Sequence, residues 1–164
     1  MLLEARELSK YIELSEFSKV NQVGIDLSVQ KIEKIMGGVM VLRDKTIVKP
    51  ISFSEIPKTK IDGYTGWRLE SGAYALTFNE KVSVPSDATG FITSRSSIYR
   101  GGAHINSPMW DPGFTTGGNA MGTTMIVHTT IFIEENARVG QFYMISNPIP
   151  TETYNGQWMN KTNY

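Results

Sequence analysis

Apolar side chains in this chain recur at every second position, in short runs that Gly, Pro and Asn interrupt. Ile25, Leu27 and Val29 alternate with Asp26, Ser28 and Gln30, and Tyr74, Leu76 and Phe78 with small or polar residues. Phe142 and Met144 alternate with Tyr143 and Ile145. Met125, Val127, Thr129, Ile131 and Ile133 read as one face of a strand pair, with Ile126 and Phe132 on the other. A period of two puts alternate side chains on opposite faces of a sheet. Many short strands joined by such turns predict a mainly β chain, a sandwich or jelly roll. One short helix is expected over residues 4–12, where Ala5, Leu8, Tyr11 and Ile12 have helical spacing. Residues 43–70, with Pro50, Pro57 and Gly63, read as a long irregular connection. Residues 1–150 are expected to form one domain, and residues 151–164, polar with isolated aromatics, a flexible tail.

Composition narrows the chemistry. Lys plus Arg equals Asp plus Glu at 16 each, so broad electrostatic binding to nucleic acid or an anionic membrane is not expected. Any anion site must be local. No cysteine is present, which removes disulfides, thiolate catalysis and thiolate-ligated metals and fits a reducing, cytoplasmic setting. His104 and His128 are the only histidines and read as packing or hydrogen-bonding residues. The uncharged run from Pro112 to Ile133 is rich in Gly and Thr and does not read as a membrane span.

Three segments carry chemistry. Ser94-Arg95-Ser96-Ser97-Ile98-Tyr99-Arg100 follows a strand end. A helix starting at Arg95 or Ser96 would aim free amides, hydroxyls and the positive end of its dipole at a phosphate. Arg95 and Arg100 would add charge-assisted hydrogen bonds. The plain alternative is a serine cap on a surface helix. In Trp110-Asp111-Pro112-Gly113-Phe114 the Pro-Gly pair forces a tight turn that fixes Asp111, as a water-aligning base requires. An ordinary β-turn with Asp at its first position reads equally well. Asp26 lies on the face opposite Ile25 and Leu27, after a glycine that permits close approach. It could hold Mg²⁺ through water; taken alone, it reads as a solvated strand residue. Arg138 and Gln141 flank Val139-Gly140 at the start of a strand, where an ion pair and a strand-edge cap would account for them.

Four segments in order resemble motifs of the dUTPase/dCTP deaminase family. They are Asn21-Gln22-Val23-Gly24-Ile25-Asp26-Leu27-Ser28, Ser94 to Ile98, Trp110 to Phe114, and Asn136 to Gln141. The N-terminal helix and Tyr154-Asn155-Gly156-Gln157-Trp158 resemble the deaminase-related branch of archaea and their viruses. The resemblance implies a distorted jelly-roll sandwich or barrel with a short N-terminal and a short internal helix. It implies a homotrimer with active sites at subunit boundaries and a deoxynucleoside triphosphate substrate carrying Mg²⁺. By resemblance, Asp26 orders the Mg²⁺-bound phosphates through water. Arg95, Ser96, Ser97 and Gln141 hold the triphosphate, Asp111 positions the attacking water, and Phe114 packs on the deoxyribose. Backbone groups around Ser107 to Met109 read the base. Tyr154 and Trp158 are the recognisable remnants of a tail that closes over bound nucleotide.

Hydrolysis and deamination need different residues. In-line attack of water on the α-phosphorus needs positioning, a water-orienting carboxylate and charge neutralisation. Zinc-dependent deamination needs a His/Cys metal site, which this chain lacks. The metal-free deaminases of the resembled family use a glutamate on the strand after the Asp-Pro-Gly turn. From Phe114 to Ile133 there is no glutamate. The expectation is therefore hydrolysis of dUTP to dUMP and pyrophosphate. A dCTP deaminase or bifunctional enzyme is the alternative, and an inactive nucleotide-binding regulator or a non-enzymatic jelly roll stand behind it.

Overall fold

The computed structural model describes residues 1–37, 39–43, 46–48, 52–147, 152–156 and 159–160. In chain order the elements are α1 (Ala5–Leu8), β1 (Ile12–Glu13), β2 (Lys19–Val20), β3 (Ile25–Met36), β4 (Val39–Val41) and β5 (Thr46–Val48). Then come β6 (Ser52–Glu55), β7 (Thr59–Ile61), β8 (Tyr64–Leu69), β9 (Gly72–Phe78) and β10 (Lys81–Val82). β11 (Ala88–Ser94), α2 (Ser96–Arg100), β12 (Ala103–Asn106), β13 (Gly122–Val127), β14 (Ile131–Glu134) and β15 (Arg138–Ser146) complete the chain.

The main sheet runs β15-β11-β12-β13-β9-β3, and a further β15–β3 pairing joins its ends. Six strands thus close into a barrel, which leaves none of their edges free for stray pairing. Its interior is the inward half of each alternating strand. Leu27, Leu76, Phe78, Met125, Phe142 and Met144 are all fully buried. At about 25 cal/mol per Å² of apolar surface removed from water, such side chains each contribute on the order of 1.5–3 kcal/mol.

Three expectations need correction. The N-terminal helix is one turn, Ala5–Leu8, and Ile12 starts β1, opposite Val82 of β10. Residues 43–70 are not irregular throughout: β6 pairs with β3, and β7 and β8 form a hairpin. Its turn is Asp62-Gly63 with φ of 50° and 92°, a geometry matched to strand twist. Trp67 and Leu69 of β8 are buried against the core. Pro50 lies outside the described residues. The strand pair expected over residues 125–133 is split. β13 joins β12 and β9 in the barrel, whereas β14 pairs with β8 in a separate three-stranded sheet.

The packing makes a sharp demand at Gly24, whose φ is +79°. A Cβ there would lie 2.6 Å from the Phe142 carbonyl oxygen, which is backbone and cannot swing aside. Gly24→Ala should therefore destabilise the fold by about 1–3 kcal/mol. Thermal melting would read this as a fall of roughly 2–4 °C per kcal/mol for a chain of this length.

Candidate active site

Strand register assembles the floor of a wide cleft. Lys19 of β2 faces Asp26 of β3, Asp26 faces Gln141 of β15, Gln141 faces Thr93 of β11, and Thr93 faces Asn106 of β12. Opposed residues in antiparallel strands share a face. One polar row therefore crosses five strands. Asp26, Gln141, Thr93 and Asn106 line a cleft of about 1120 Å³ together with Asn21, Arg95, Ser96, Tyr99, His104 and His128.

Asp26 is the buried centre of this row. It is 3% exposed, so it is not a solvated strand residue. Alternation does set it on the polar face of β3, but that face is covered. Asn21 Nδ2 donates to Oδ1 at 2.7 Å. The Arg95 guanidinium approaches Oδ2 at 3.0 Å and that of Arg138 at 3.8 Å. Arg95 also donates through Nη1 to the Arg138 carbonyl oxygen at 3.0 Å. Two guanidinium groups share one carboxylate, so the cleft carries a local excess of positive charge within a neutral chain. Gln141 donates through Nε2 to the Val23 carbonyl oxygen at 2.8 Å, tying the β2–β3 turn to β15.

Arg95, not a serine, stands at the N-cap of α2, and no side chain caps the helix. Ser94 is committed elsewhere, its hydroxyl accepting from the Ile105 N–H at 2.7 Å. Ser96 and Ser97 are exposed in the first turn, and within the described residues their N–H groups meet no acceptor. That leaves two amides and two hydroxyls for a ligand. Ser97 and Arg100 are exposed but do not line the cleft. The histidines stack at 5.1 Å, with Nε2 of His128 3.2 Å from Nδ1 of His104, and form part of the cleft wall.

Asp111, Phe114 and Tyr154 form a second cluster. Phe114 N–H donates to the Asp111 carbonyl oxygen at 3.0 Å across Pro112 and Gly113, and Gly113 has φ +79°. This is a type II turn, for which Pro and then Gly are the preferred central residues. Trp110 anchors it. Its backbone pairs with Gly90, its Nε1 donates to Ser107 Oγ at 2.7 Å, and its ring meets Phe114 and Phe142 edge-on. The half-buried Asp111 carboxylate accepts no hydrogen bond within the described residues. Tyr154 N–H donates to the Pro112 carbonyl oxygen at 2.7 Å, and its ring lies 5.6 Å from that of Phe114. Trp158 lies outside the described residues.

Among the described residues the two clusters are set at different points along β11. Trp110 pairs with Gly90, four residues along β11 from Ser94, a separation of about 13 Å at roughly 3.3 Å per residue.

A model of the family described as dCTP deaminase-like matches residues 2–146. The chain belongs to the dCTP deaminase-like family. It is 33% identical over 142 residues to a "Probable deoxyuridine 5'-triphosphate nucleotidohydrolase" of Aeropyrum pernix, covering 85% of this chain and 84% of that one. A "Deoxyuridine 5'-triphosphate nucleotidohydrolase" of Methanocaldococcus jannaschii is 30% identical, covering 88% and 90%. A solved 2'-deoxycytidine 5'-triphosphate deaminase from Agrobacterium tumefaciens shares the fold at TM-score 0.60 and 15% identity. The match covers 87% of this dCTP deaminase-like chain but 47% of that longer one.

Asn21 and Glu80 are partners that sequence reasoning did not single out. Asn21 stood in a quoted motif, five residues before the carboxylate it binds. Glu80 is fully buried and lay in no motif.

Proposed function

We propose that this chain is a dUTP nucleotidohydrolase, converting dUTP and water to dUMP, pyrophosphate and a proton. The observation that carries this reading is the cleft: two guanidinium groups on a single buried carboxylate, with Ser96 and its bare helix-start amide on the same cleft wall. Such a donor set suits a polyphosphate. The triphosphate lies on Arg95, Ser96, Ser97 and Gln141, with Arg100 nearby on the same helix. Asp111 aligns a water in line with the α-phosphorus and takes its proton. An oxygen–phosphorus bond forms as the bond to the bridging oxygen breaks, and pyrophosphate leaves. Phe114 packs on the deoxyribose, and Tyr154 and Trp158 bring the tail over the nucleotide.

The cleft offers Mg²⁺ one carboxylate, that of Asp26; the guanidinium and N–H groups are donors to phosphate and cannot ligate a cation. Among the described residues no three metal-binding side chains cluster. Magnesium, however, takes few protein carboxylates and fills its shell with phosphate oxygens and waters. Asp26 would hold it through water. When bound, the ion would neutralise charge on the phosphates.

Because Asp111 and Phe114 sit apart from the Arg95 cleft, we infer that each site is completed by a second copy in a homotrimer. Deamination of dCTP is the second reading, supported by the family's description. Against it stands β13, the strand after the Asp-Pro-Gly turn, which carries no glutamate to serve as base.

The test measures pyrophosphate and ammonia released from each deoxynucleoside triphosphate, with and without Mg²⁺. Pyrophosphate from dUTP alone, abolished by chelator, is expected. Ammonia from dCTP would transfer the reading to deamination. Equal pyrophosphate from dTTP would overturn the selectivity for uracil.

A further inference from the structure

Glu80 is fully buried, and no cation pairs with it among the described residues. An ionised carboxylate in that position is costly unless hydrogen bonds replace its water. Four donors do so. The hydroxyls of Ser15, Ser18 and Ser28 donate to Oε1 at 2.7, 2.6 and 2.8 Å, and the Ser28 N–H donates to Oε2 at 3.1 Å. Each hydroxyl, its one hydrogen so committed, also accepts an N–H. Ser15 takes that of Phe17, Ser18 that of Ser15, and Ser28 the Asn79 amide.

Two arms lead from this hub to the cleft. Ser18 is followed directly by β2 and then by Asn21, which holds Oδ1 of Asp26. On the other side, the Asn79 amide bridges Ser28 Oγ and Asn136 Oδ1, both at 3.0 Å. Asn136 lies in the Glu134–Ala137 turn that leads into β15, which presents Arg138 toward Oδ2 of Asp26. The arms thus reach opposite oxygens of one carboxylate.

We propose that Glu80 is a positioning residue for the phosphate end of the cleft, fixing the Asp26 carboxylate through the Ser18–Asn21 and Asn79–Asn136 arms. This rests on the polyphosphate reading of that cleft. Glu80→Gln is the sharpest probe. With its oxygen toward the three serines, the amide nitrogen must face the Ser28 N–H, donor against donor.

E80Q and the double variant S15A/S18A, which keeps Glu80 but removes the two of its four hydrogen bonds that come from the loop, are compared with the full-length wild type well below their melting temperatures. KM for dUTP and Kd for inorganic tripolyphosphate are expected to rise about tenfold in each, the scale of a lost hydrogen bond to a charged group. kcat should stay within about threefold, and the inhibition constant of deoxyuridine should not move. Lower melting temperatures with wild-type KM and Kd would overturn the proposal, leaving Glu80 a purely structural residue. If E80Q does not fold, S15A/S18A decides alone. Wild type that binds tripolyphosphate without releasing pyrophosphate from dUTP would sink the hydrolase reading only, and Kd would still judge Glu80. Wild type that binds neither would end both.

Discussion

Asp111→Asn should lower kcat by about 10²–10⁴-fold, the usual contribution of a well-placed general base. KM should stay within about threefold, because a group needed only in the transition state lowers kcat and leaves ground-state binding alone. The geometry makes the substitution clean. The turn is held by backbone: Phe114 N–H to the Asp111 carbonyl oxygen, Gly113 N–H to the Val84 carbonyl oxygen, and the Gly90–Trp110 bridge. No described hydrogen bond uses the Asp111 carboxylate, so an isosteric amide leaves folding intact. Steady-state pyrophosphate release beside a thermal melt checks both halves. An Asn variant retaining more than about a tenth of wild-type kcat would remove Asp111 from the chemistry.

What the sequence reveals about this site follows from the range of each signal. Alternation placed Asp26 opposite Ile25 and Leu27 correctly, because a strand's two faces are a local property. Its burial is not local. The cover over that face includes the Ser15–Ser18 loop and Glu80, which reaches Ser28 across 52 residues. Nothing in the spacing of β3 announces either. The β7–β8 hairpin had a readable cue in Asp62-Gly63, but Pro50 and Pro57 outweighed it. Proline bars only some hydrogen-bonding positions, and β6 lies between those two prolines in sequence. The tight turn at Pro112-Gly113 was legible because its two residues nearly dictate the backbone. The distance between that turn and the Arg95 cleft was not. It depends on Trp110 pairing with Gly90 rather than with a residue near Ser94.

Arg95→Ala joins the two levels, since one side chain both neutralises Asp26 and faces the ligand. Its removal leaves a carboxylate whose side chain is 4% exposed with Asn21 and the more distant Arg138. A lost hydrogen bond to a charged group costs about 1.5–3 kcal/mol. Because the Arg95 side chain is itself about a third exposed, solvent screening puts the expected loss of stability at the lower end of that range. Binding should suffer separately: the triphosphate loses a guanidinium, and KM should rise about 10–100-fold. The second substitution Asp26→Asn distinguishes the two effects. On the Arg95→Ala background it removes the orphaned charge, so the melting temperature should recover while KM does not. If Asp26→Asn lowers stability as much on that background as in the wild type, the ion pair is not what holds the cleft. If it restores KM as well, Arg95 acts only by neutralising Asp26 and does not touch the phosphates.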